Sequence, residues 1–253
     1  MPSDSDPPAR FAGALDPCTA IVTGAGSGIG RAVAEAFAFA GADVVLLGRR
    51  RAALAATAGR VEAAGRRALV LPTDVTDRSA LAAAVTATER DLGPADLAVA
   101  AAGVNDWGRL EELPPDALRA ALATNLEAVA DLARLVTPGM RARGRGKLIV
   151  IASDNGRRPE AEGSAYVASK FGVVGFALSL SRELYGTGIG VHVIEPGCVD
   201  TEWYPPQEHA PRERMLRPED VALVATFLAT LPARMVLEEV ELLPRGLLAE
   251  PWT

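Results

Sequence analysis

A tyrosine and a lysine four residues apart, in Tyr166-Val167-Ala168-Ser169-Lys170, form the pair best suited to chemistry in this chain. On a helix, positions i and i+4 lie on one face, so the lysine ammonium would lie beside the phenol. A neighbouring positive charge lowers the pKa of a phenol from its usual value near ~10. We therefore expect Tyr166 to act as a general acid or base toward an oxygen atom. The only lysines are Lys147 and Lys170, although the chain has 26 lysine and arginine residues, which favours a specific role for Lys170.

Two further polar residues could complete this site. Ser153 ends the apolar run Ile149–Ala152 and precedes Tyr166 by 13 residues. Taken alone, an isolated serine after a strand is more often a cap. Asn125 falls in the middle of a helical segment, where asparagine is mildly unfavourable, and this favours a functional reason for it.

A glycine-rich turn occupies residues 23–30, Thr-Gly-Ala-Gly-Ser-Gly-Ile-Gly, between the first apolar run and the first helical segment. Glycines let the backbone turn tightly and approach a pyrophosphate, which then lies at a helix N-terminus where amide dipoles favour an anion. The general pattern G-x-G-x-x-G does not fit, because Ile29 stands at its sixth position. The turn therefore predicts a dinucleotide site with the spacing Gly24, Gly28, Gly30.

This turn, together with the Tyr166–Lys170 pair, resembles the short-chain dehydrogenase/reductase family in its single-domain branch, and the resemblance extends from Thr23 to Pro244. It implies a Rossmann fold and hydride transfer between a nicotinamide cofactor and a carbonyl or alcohol carbon. It implies Asn125, Ser153, Tyr166 and Lys170 as the catalytic residues, with Asn125 completing a proton relay. The implied cofactor contacts are Gly24, Ser27, Gly28, Ile29, Gly30, Asp74, Val75, Ala102, Gly103, Tyr166, Lys170, Pro196, Gly197, Val199 and Thr201.

Two positions qualify the resemblance. The segment Ala100-Ala101-Ala102-Gly103 stands where the family usually has Asn-Asn-Ala-Gly. A polar asparagine side chain beside the cofactor site is therefore missing. Asp74 matches the family aspartate that contacts the adenine, but an aspartate there could also be a cap or turn residue.

The end of the second apolar run indicates which nicotinamide is used. An NAD site has a carboxylate there for the ribose 2′-hydroxyl, but this chain has Gly48-Arg49-Arg50-Arg51. A guanidinium can grip an NADP 2′-phosphate through two hydrogen bonds, and we assign that contact to Arg49. Alternatively, the arginines begin a solvated helix, or one stacks on an adenine in an NAD enzyme. We favour NADP(H) over NAD(H).

Short apolar runs alternate with helical segments, which predicts a doubly wound, seven-stranded parallel sheet with helices on both faces. The predicted strands are Thr19–Thr23, Asp43–Leu47, Ala68–Leu71, Leu97–Ala101, Lys147–Ala152, Gly190–Ile194 and Val236–Leu243, the last as an edge strand. The predicted helices are Gly28–Ala40, Arg51–Ala64, Arg78–Leu92, Pro115–Thr137, Ser164–Tyr185 and Pro218–Ala229. We expect N-caps at Asp77 and Ser164 and C-terminal glycines at Gly41 and Gly65.

Composition narrows the class of protein. We expect residues 1–18 to be a flexible tail and residues 19–253 to be one catalytic domain. A net charge of −6 and a pI near 5.1 argue against nucleic acid as a partner. No apolar run approaches the ~20 residues of a membrane span, and the first residues lack signal-peptide features, so we expect a cytoplasmic protein. Cys18 and Cys198 fit no metal spacing, and we expect no metal.

The long irregular segment Glu202–Arg217 predicts a lid over a small-molecule carbonyl or alcohol substrate, with Trp203 and Tyr204 as an apolar wall. An NAD-dependent alcohol dehydrogenase and a 3-oxoacyl thioester reductase remain alternatives, although the latter usually carry an Asp-Gly-Gly turn that this C-terminus lacks. A non-catalytic nucleotide-binding regulator would predict damage to Ser153, Tyr166 or Lys170, and all three are intact. An epimerase or dehydratase of the family's longer branch would need a substrate domain for which the chain has no length.

Two helical segments carry more apolar residues than one buried face requires, which predicts a homo-oligomer, a tetramer or a dimer. These residues are Leu118, Leu122, Leu126 and Val129 in Pro115–Thr137, and Phe171, Val174, Phe176 and Leu178 in Ser164–Tyr185.

Overall fold

A computed structural model of the protein describes residues 9–203 and 212–245, and within them seven parallel strands form one sheet in the order β3-β2-β1-β4-β5-β6-β7. The strands are β1 (Thr19–Thr23), β2 (Asp43–Gly48), β3 (Ala68–Pro72), β4 (Leu97–Ala100), β5 (Gly146–Ile151), β6 (Ile189–Pro196) and β7 (Glu239–Leu242). The predicted doubly wound sheet is confirmed, and β7 lies at an edge as expected. Strand ends agree within two residues except in β7, which begins three residues later than predicted.

Seven α-helices connect these strands: α1 (Gly28–Phe39), α2 (Arg51–Ala63), α3 (Arg78–Asp91), α4 (Ala117–Leu122), α5 (Ala128–Arg143), α6 (Ser164–Glu183) and α7 (Pro218–Thr230). The single helix predicted for Pro115–Thr137 is wrong. A π-helical turn, Ala123–Glu127, separates α4 from α5, and α5 continues to Arg143, where Gly144 with φ 65° ends it. A π turn inserts one residue into the helix and often marks a functional site.

The helices cover both faces of the sheet and form two apolar clusters. Alternate residues of β2 show the division: Val44 and Leu46 join α1, α2 and α7, whereas Val45 and Leu47 join α3, α5 and α6. The direction of strand order reverses between β1 and β4, so the loops at the carboxyl ends of these two strands separate and leave a crevice. Ligands of open α/β sheets bind in such a crevice.

Three of the four predicted helix boundary residues are confirmed. The carboxylate of Asp77 accepts hydrogen bonds from the backbone N–H groups of Ser79 and Ala80 and caps α3. Gly41 and Gly65 follow their helices with φ of 104° and 77°, a left-handed conformation that favours glycine. The N-cap predicted at Ser164 is wrong, because Ser164 is the first helical residue and Gly163 occupies the cap position.

The N-terminal segment is ordered earlier than expected. Phe11 and Leu15 are buried in the cluster that contains α1, and the backbone N–H of Leu15 donates to Ala40 O at 2.7 Å. Residues 9–17 therefore pack on the core, and the flexible tail predicted for residues 1–18 is corrected to that extent. Burial of two large apolar side chains offsets the entropy lost in ordering this segment.

Within the described residues, α6 is long and apolar enough to cross a membrane by length and composition alone. Its buried residues include Lys170, Val173 and Ala177, and the helix packs against β6. The apolar residues of α6 therefore pack inside the protein, and this packing places Tyr166 and Lys170 at the crevice.

Candidate active site

The glycine-rich turn requires glycine at several positions. Gly24 has φ of 67°, and a Cβ there would lie 2.8 Å from Ala101 O. A Cβ at Gly30 would lie 2.3 Å from the carbonyl oxygen of Gly24, which no side chain tolerates. Thr23 ties this turn to the next loop, because its Oγ1 accepts hydrogen bonds from the N–H groups of Ala101 and Ala102 at 3.0 and 3.1 Å. These two hydrogen bonds to Thr23 thus fix the backbone of the loop after β4, where Ala100-Ala101 replace the usual asparagines.

The N-terminus of α1 has no side-chain cap. Ser27 occupies the cap position without making the capping hydrogen bond, in contrast to Asp77 at α3. The first amide groups of α1 are therefore available to an anion, and the helix dipole favours one there. The tight glycine turn and this uncapped helix fit the pyrophosphate of a dinucleotide.

A cavity of about 1100 Å³ opens from this turn along the carboxyl ends of the central strands. Every residue that the resemblance implied as a cofactor contact lines it, as do Arg49, Ser153 and Trp203. Asn125 is not part of its wall, although the adjacent Thr124 is. Tyr204 lies outside the described residues. The sequence-based site residues are thus brought together, apart from these two.

Arginines line one end of the cavity. Arg49 is exposed there and makes no ion pair within the described ranges, while the guanidinium of Arg50 lies 3.6 Å from the carboxylate of Glu202. Asp74 forms a turn: its Oδ1 accepts hydrogen bonds from the N–H and the hydroxyl of Thr76 at 3.0 and 2.7 Å. These bonds hold the pKa of Asp74 below its usual value. Asp74 therefore serves as a turn residue while it also lines the cavity.

The Tyr166–Lys170 pair lies at the other end. The ammonium of Lys170 is 5.5 Å from the centre of the Tyr166 ring and donates a hydrogen bond to Ile151 O at 3.1 Å. Lys170 is buried, and its loss of solvation lowers its pKa to about 8.

The pKa of Tyr166 moves opposite to the sequence-based expectation. Burial raises it to about 12, and the negative charges of Asp154 and Glu160 act in the same direction, against a hydrogen bond with Ser153. The predicted lowering of the Tyr166 pKa is therefore wrong. Loss of solvation penalises the phenolate, and two nearby carboxylates repel it. The phenol is held protonated across the neutral range.

Ser153 is buried just after β5, and its hydroxyl is hydrogen-bonded to the next residue, Asp154. Its hydroxyl donates to Asp154 Oδ1 at 3.0 Å and accepts from the N–H of Asn155 at 3.2 Å. The hydroxyl has a single proton, so it must rotate away from Asp154 before it can donate to a substrate oxygen. Burial raises the pKa of the Asp154 carboxyl. Sequence reasoning missed Asp154, although a carboxylate directly after the predicted catalytic serine was a visible signal.

Asn125 lies in the π turn and holds two other segments. Its Oδ1 accepts from Val104 N and its Nδ2 donates to Val104 O, both at 2.9 Å. Nδ2 also donates to Ser169 Oγ at 2.9 Å. Across residues 9–203 and 212–245 its amide makes no hydrogen bond to Lys170. These bonds fix the loop after β4 against α6, and the proton-relay role that the resemblance implies for Asn125 stays a prediction.

Two tryptophans contact the ring of Tyr166. The ring centres of Trp107 and Trp203 lie 6.0 and 6.1 Å from that of Tyr166, with interplanar angles of 55° and 60°. Trp203 was predicted as a substrate wall, whereas Trp107 was missed because a lone aromatic residue in a loop gives no periodic signal.

Comparison with known proteins identifies related chains. The family described as short chain dehydrogenase matches residues 18–211. A short chain dehydrogenase of Pseudocercospora fijiensis is 38% identical over 203 residues, which are 79% of this chain and 66% of that protein. Glycine betaine reductase ATRR of Emericella nidulans is 34% identical over 242 residues, which are 92% of this chain and 19% of that protein. The chain therefore spans just under two thirds of the first relative and about a fifth of the second.

Among solved structures, a metagenomic short-chain oxidoreductase in complex with NADP is 34% identical. The match covers 91% of this chain and 98% of that one with a TM-score of 0.80.

Proposed function

The chain belongs to the short-chain dehydrogenase/reductase family, whose members act on CH–OH and C=O groups, and from that premise we propose that it reduces a ketone or aldehyde with NADPH. One observation carries the proposal: a single cavity joins the glycine turn and Arg49 to Ser153, Tyr166 and Lys170. When bound there, a nicotinamide would deliver a hydride to the carbonyl carbon or, in reverse, accept one from an alcohol.

The chain's own residues would handle the oxygen and the proton. Ser153 and Tyr166 would hold the carbonyl oxygen by hydrogen bonds. A phenol whose pKa is about 12 stays protonated at neutral pH and gives its proton only to a strong base such as a forming alkoxide. Lys170, with a pKa of about 8, remains largely protonated at neutral pH and can return a proton to the tyrosine. Asn125 would hold the loop after β4 against α6 during this proton transfer.

The preference for NADPH rests on charge at the far end of the cavity. The end of β2 offers Arg49 and Arg50 and no carboxylate, and the guanidinium of Arg49 has no ion-pair partner in the described part of the chain. A 2′-phosphate would supply that partner, whereas a 2′-hydroxyl would not. A related solved structure contains NADP, which supports the same choice.

A cofactor and substrate screen tests the function. Binding of NADPH and NADH is measured by calorimetry, and a panel of ketones, aldehydes and the matching alcohols is assayed with both cofactors in both directions. We expect tighter binding of NADPH and turnover of at least one carbonyl. Tight cofactor binding without turnover of any panel member would favour a nucleotide-binding regulator, and a preference for NADH would favour an alcohol dehydrogenase.

We also propose that the protein is a homo-oligomer, with a tetramer favoured over a dimer. Leu118 on α4 and Phe171 on α6 are 49% and 45% exposed, and α4 and α6 pack side by side. Phe227 on α7 is 42% exposed and gives a second apolar face. Two such faces suit a tetramer, and light scattering showing a monomer at micromolar concentration would contradict it.

A cytoplasmic location is proposed as well. Cys18 forms no disulfide bond, which suits a reducing compartment. Cell fractionation would test this location.

A further inference from the structure

Charged residues line the cavity wall at both ends. Arg49 and Arg50 stand at the end of β2, where the cofactor is proposed to lie. At the end with Tyr166, the wall contains the carboxylates of Asp154 and Glu160 together with the ammonium of Lys170. Both carboxylates line the same cavity as Tyr166, and Asp154 accepts a hydrogen bond at 3.0 Å from the hydroxyl of Ser153, which is proposed to hold the reacting oxygen.

Among residues 9–203 and 212–245, neither carboxylate has an ion-pair partner. Asp154 accepts hydrogen bonds from the Ser153 hydroxyl and the N–H of Asn155, and the side-chain amide of Asn155 lies against Glu160. No lysine or arginine in the described ranges lies within 4 Å of either carboxylate. Both carboxylates therefore line the cavity without a cation in direct contact, while Arg158 acts on Asp154 from a longer distance.

The arginines that follow in the same loop are already paired elsewhere. Arg157 donates to the buried carboxylate of Glu195 at 2.7 Å and also pairs with Glu239. Arg158 pairs with Glu241 on β7 through two nitrogens. The loop thus directs Arg157 and Arg158 toward the sheet edge, and Asp154 and Glu160 toward the cavity.

Aromatic rings lie beside these carboxylates. Trp107 and Trp203 contact the Tyr166 ring and line the same cavity. Small residues leave room for them: a Cβ at Gly163 would lie 2.7 Å from the Trp107 ring, and one at Gly103 would lie 3.4 Å from the Trp203 ring. Tryptophan faces attract cations strongly, and quaternary ammonium ligands are recognised by such rings.

We propose that the carbonyl substrate carries a positively charged group of the amino or quaternary ammonium class, held by Trp107, Trp203, Asp154 and Glu160. This inference rests on the proposed function, because it places the cation in the same cavity as the reacting carbonyl. A bound cation also offsets the two negative charges that disfavour ionisation of Tyr166. Substrates with an anionic group are repelled by the same carboxylates.

Three matched probes test the charge preference by binding alone. Choline, neohexyl alcohol and isethionate share a two-carbon alcohol with a tetrahedral head that is positive, neutral or negative. Their affinities are measured by calorimetry on the protein saturated with the nicotinamide nucleotide that it binds. We expect choline to bind about tenfold more tightly than neohexyl alcohol, as one desolvated cation–π contact would give, and isethionate to bind more weakly than both.

The corresponding aldehydes test turnover. Trimethylammonioacetaldehyde should be reduced with a kcat/KM about tenfold above that of tert-butylacetaldehyde, with sulfoacetaldehyde last. Glu160→Gln and Trp107→Leu should each lower the ratio of cationic to neutral kcat/KM by at least about threefold. Glu111→Gln removes an equal charge from an exposed position outside the cavity, and it should leave the ratio unchanged.

The outcomes separate this inference from the proposed function. Equal affinities for choline and neohexyl alcohol, or a ratio that Glu160→Gln and Glu111→Gln change alike, overturn the cation claim even if neutral carbonyls are reduced. A choline preference that Glu160→Gln and Trp107→Leu abolish supports the cation site. If such a preference occurs without reduction of any carbonyl, the proposed function fails while the binding inference stands.

Discussion

The side chain of Asn125 closes a pair of hydrogen bonds on the backbone of Val104, with Oδ1 accepting from its N–H and Nδ2 donating to its C=O, both at 2.9 Å. The two residues are 21 positions apart, and the pair joins the π turn to the loop after β4. That loop lines the cavity from Ala101 to Trp107. The position of the cavity wall therefore depends on a residue that is not in the wall.

Replacement of Asn125 by alanine should destabilise the protein. The change leaves the N–H and C=O of Val104 and the hydroxyl of Ser169 without this partner, which costs about 1–3 kcal/mol for a buried group left unsatisfied. Urea unfolding followed by circular dichroism measures the loss. Thr86→Ala, at an exposed helical position, should stay within about 0.5 kcal/mol of the unmodified protein. Equal effects for the two variants would contradict the positioning role.

Tyr166→Phe should retain cofactor affinity and lose turnover. The variant keeps the ring that packs on Trp107 and Trp203 but removes the proton donor, at a cost on the order of 10²–10⁴ in rate. Tyr185→Phe is the matched control, because its hydroxyl bonds to Glu238 at the surface. Near-normal rates in Tyr166→Phe on the best substrate would show that another group supplies the proton.

Arg49→Ala should weaken NADPH binding by about 1.5–3 kcal/mol, the range for hydrogen bonds to charged groups, and hardly change NADH binding. Calorimetric titration of both cofactors measures the difference. Arg51→Ala removes the same charge from an exposed residue outside the cavity wall and should leave both affinities nearly unchanged. A similar loss for NADPH and NADH in Arg49→Ala would remove the 2′-phosphate assignment.

The free energy of unfolding should rise between about pH 8 and about pH 10. Burial lowers the pKa of Lys147 and Lys170 to about 8 in the folded state, whereas an unfolded lysine titrates near ~10.4. Between these values the unfolded chain binds more protons, so raising the pH stabilises the fold by at most about 1.4 kcal/mol per pH unit for each lysine. Above ~10 the trend reverses, because the pKa of Tyr166 is raised to about 12 in the fold.

Lys147→Met isolates this effect away from the cavity. Urea unfolding across the same pH range should give a smaller slope for the variant, by up to one proton. An unchanged slope would show that Lys147 is not titrating below its unfolded value.

Much of the sheet was predictable because its inner strands, unlike β3 and β7 at the edges, are buried on both faces and read as short apolar runs. Both ends of β1 (Thr19–Thr23) were predicted correctly, since the glycine turn marks where this strand ends. The break between α4 and α5 was not predictable. It depends on where Asn125 finds partners, and Val104 and Ser169 are distant in sequence.

The site residues were predictable as a group but not in their electrostatics. A motif gives the spacing of Tyr166 and Lys170, and the structure places both at one cavity. The pKa of Tyr166 depends on burial and on Asp154 and Glu160, which come from a loop before α6. Their distance from the phenol is set by how that loop turns, which no local pattern specifies.

Lys170 is buried and Lys147 is half-buried, and each donates hydrogen bonds to backbone carbonyls: Lys147 to Ala229 and Leu231, and Lys170 to Ile151. An acylating reagent needs an exposed, unprotonated amine, so Lys170 cannot react until its surroundings open. The slow acylation of Lys170, followed by mass spectrometry, would then report how often the catalytic end of the cavity opens and how far a bound nucleotide keeps it shut.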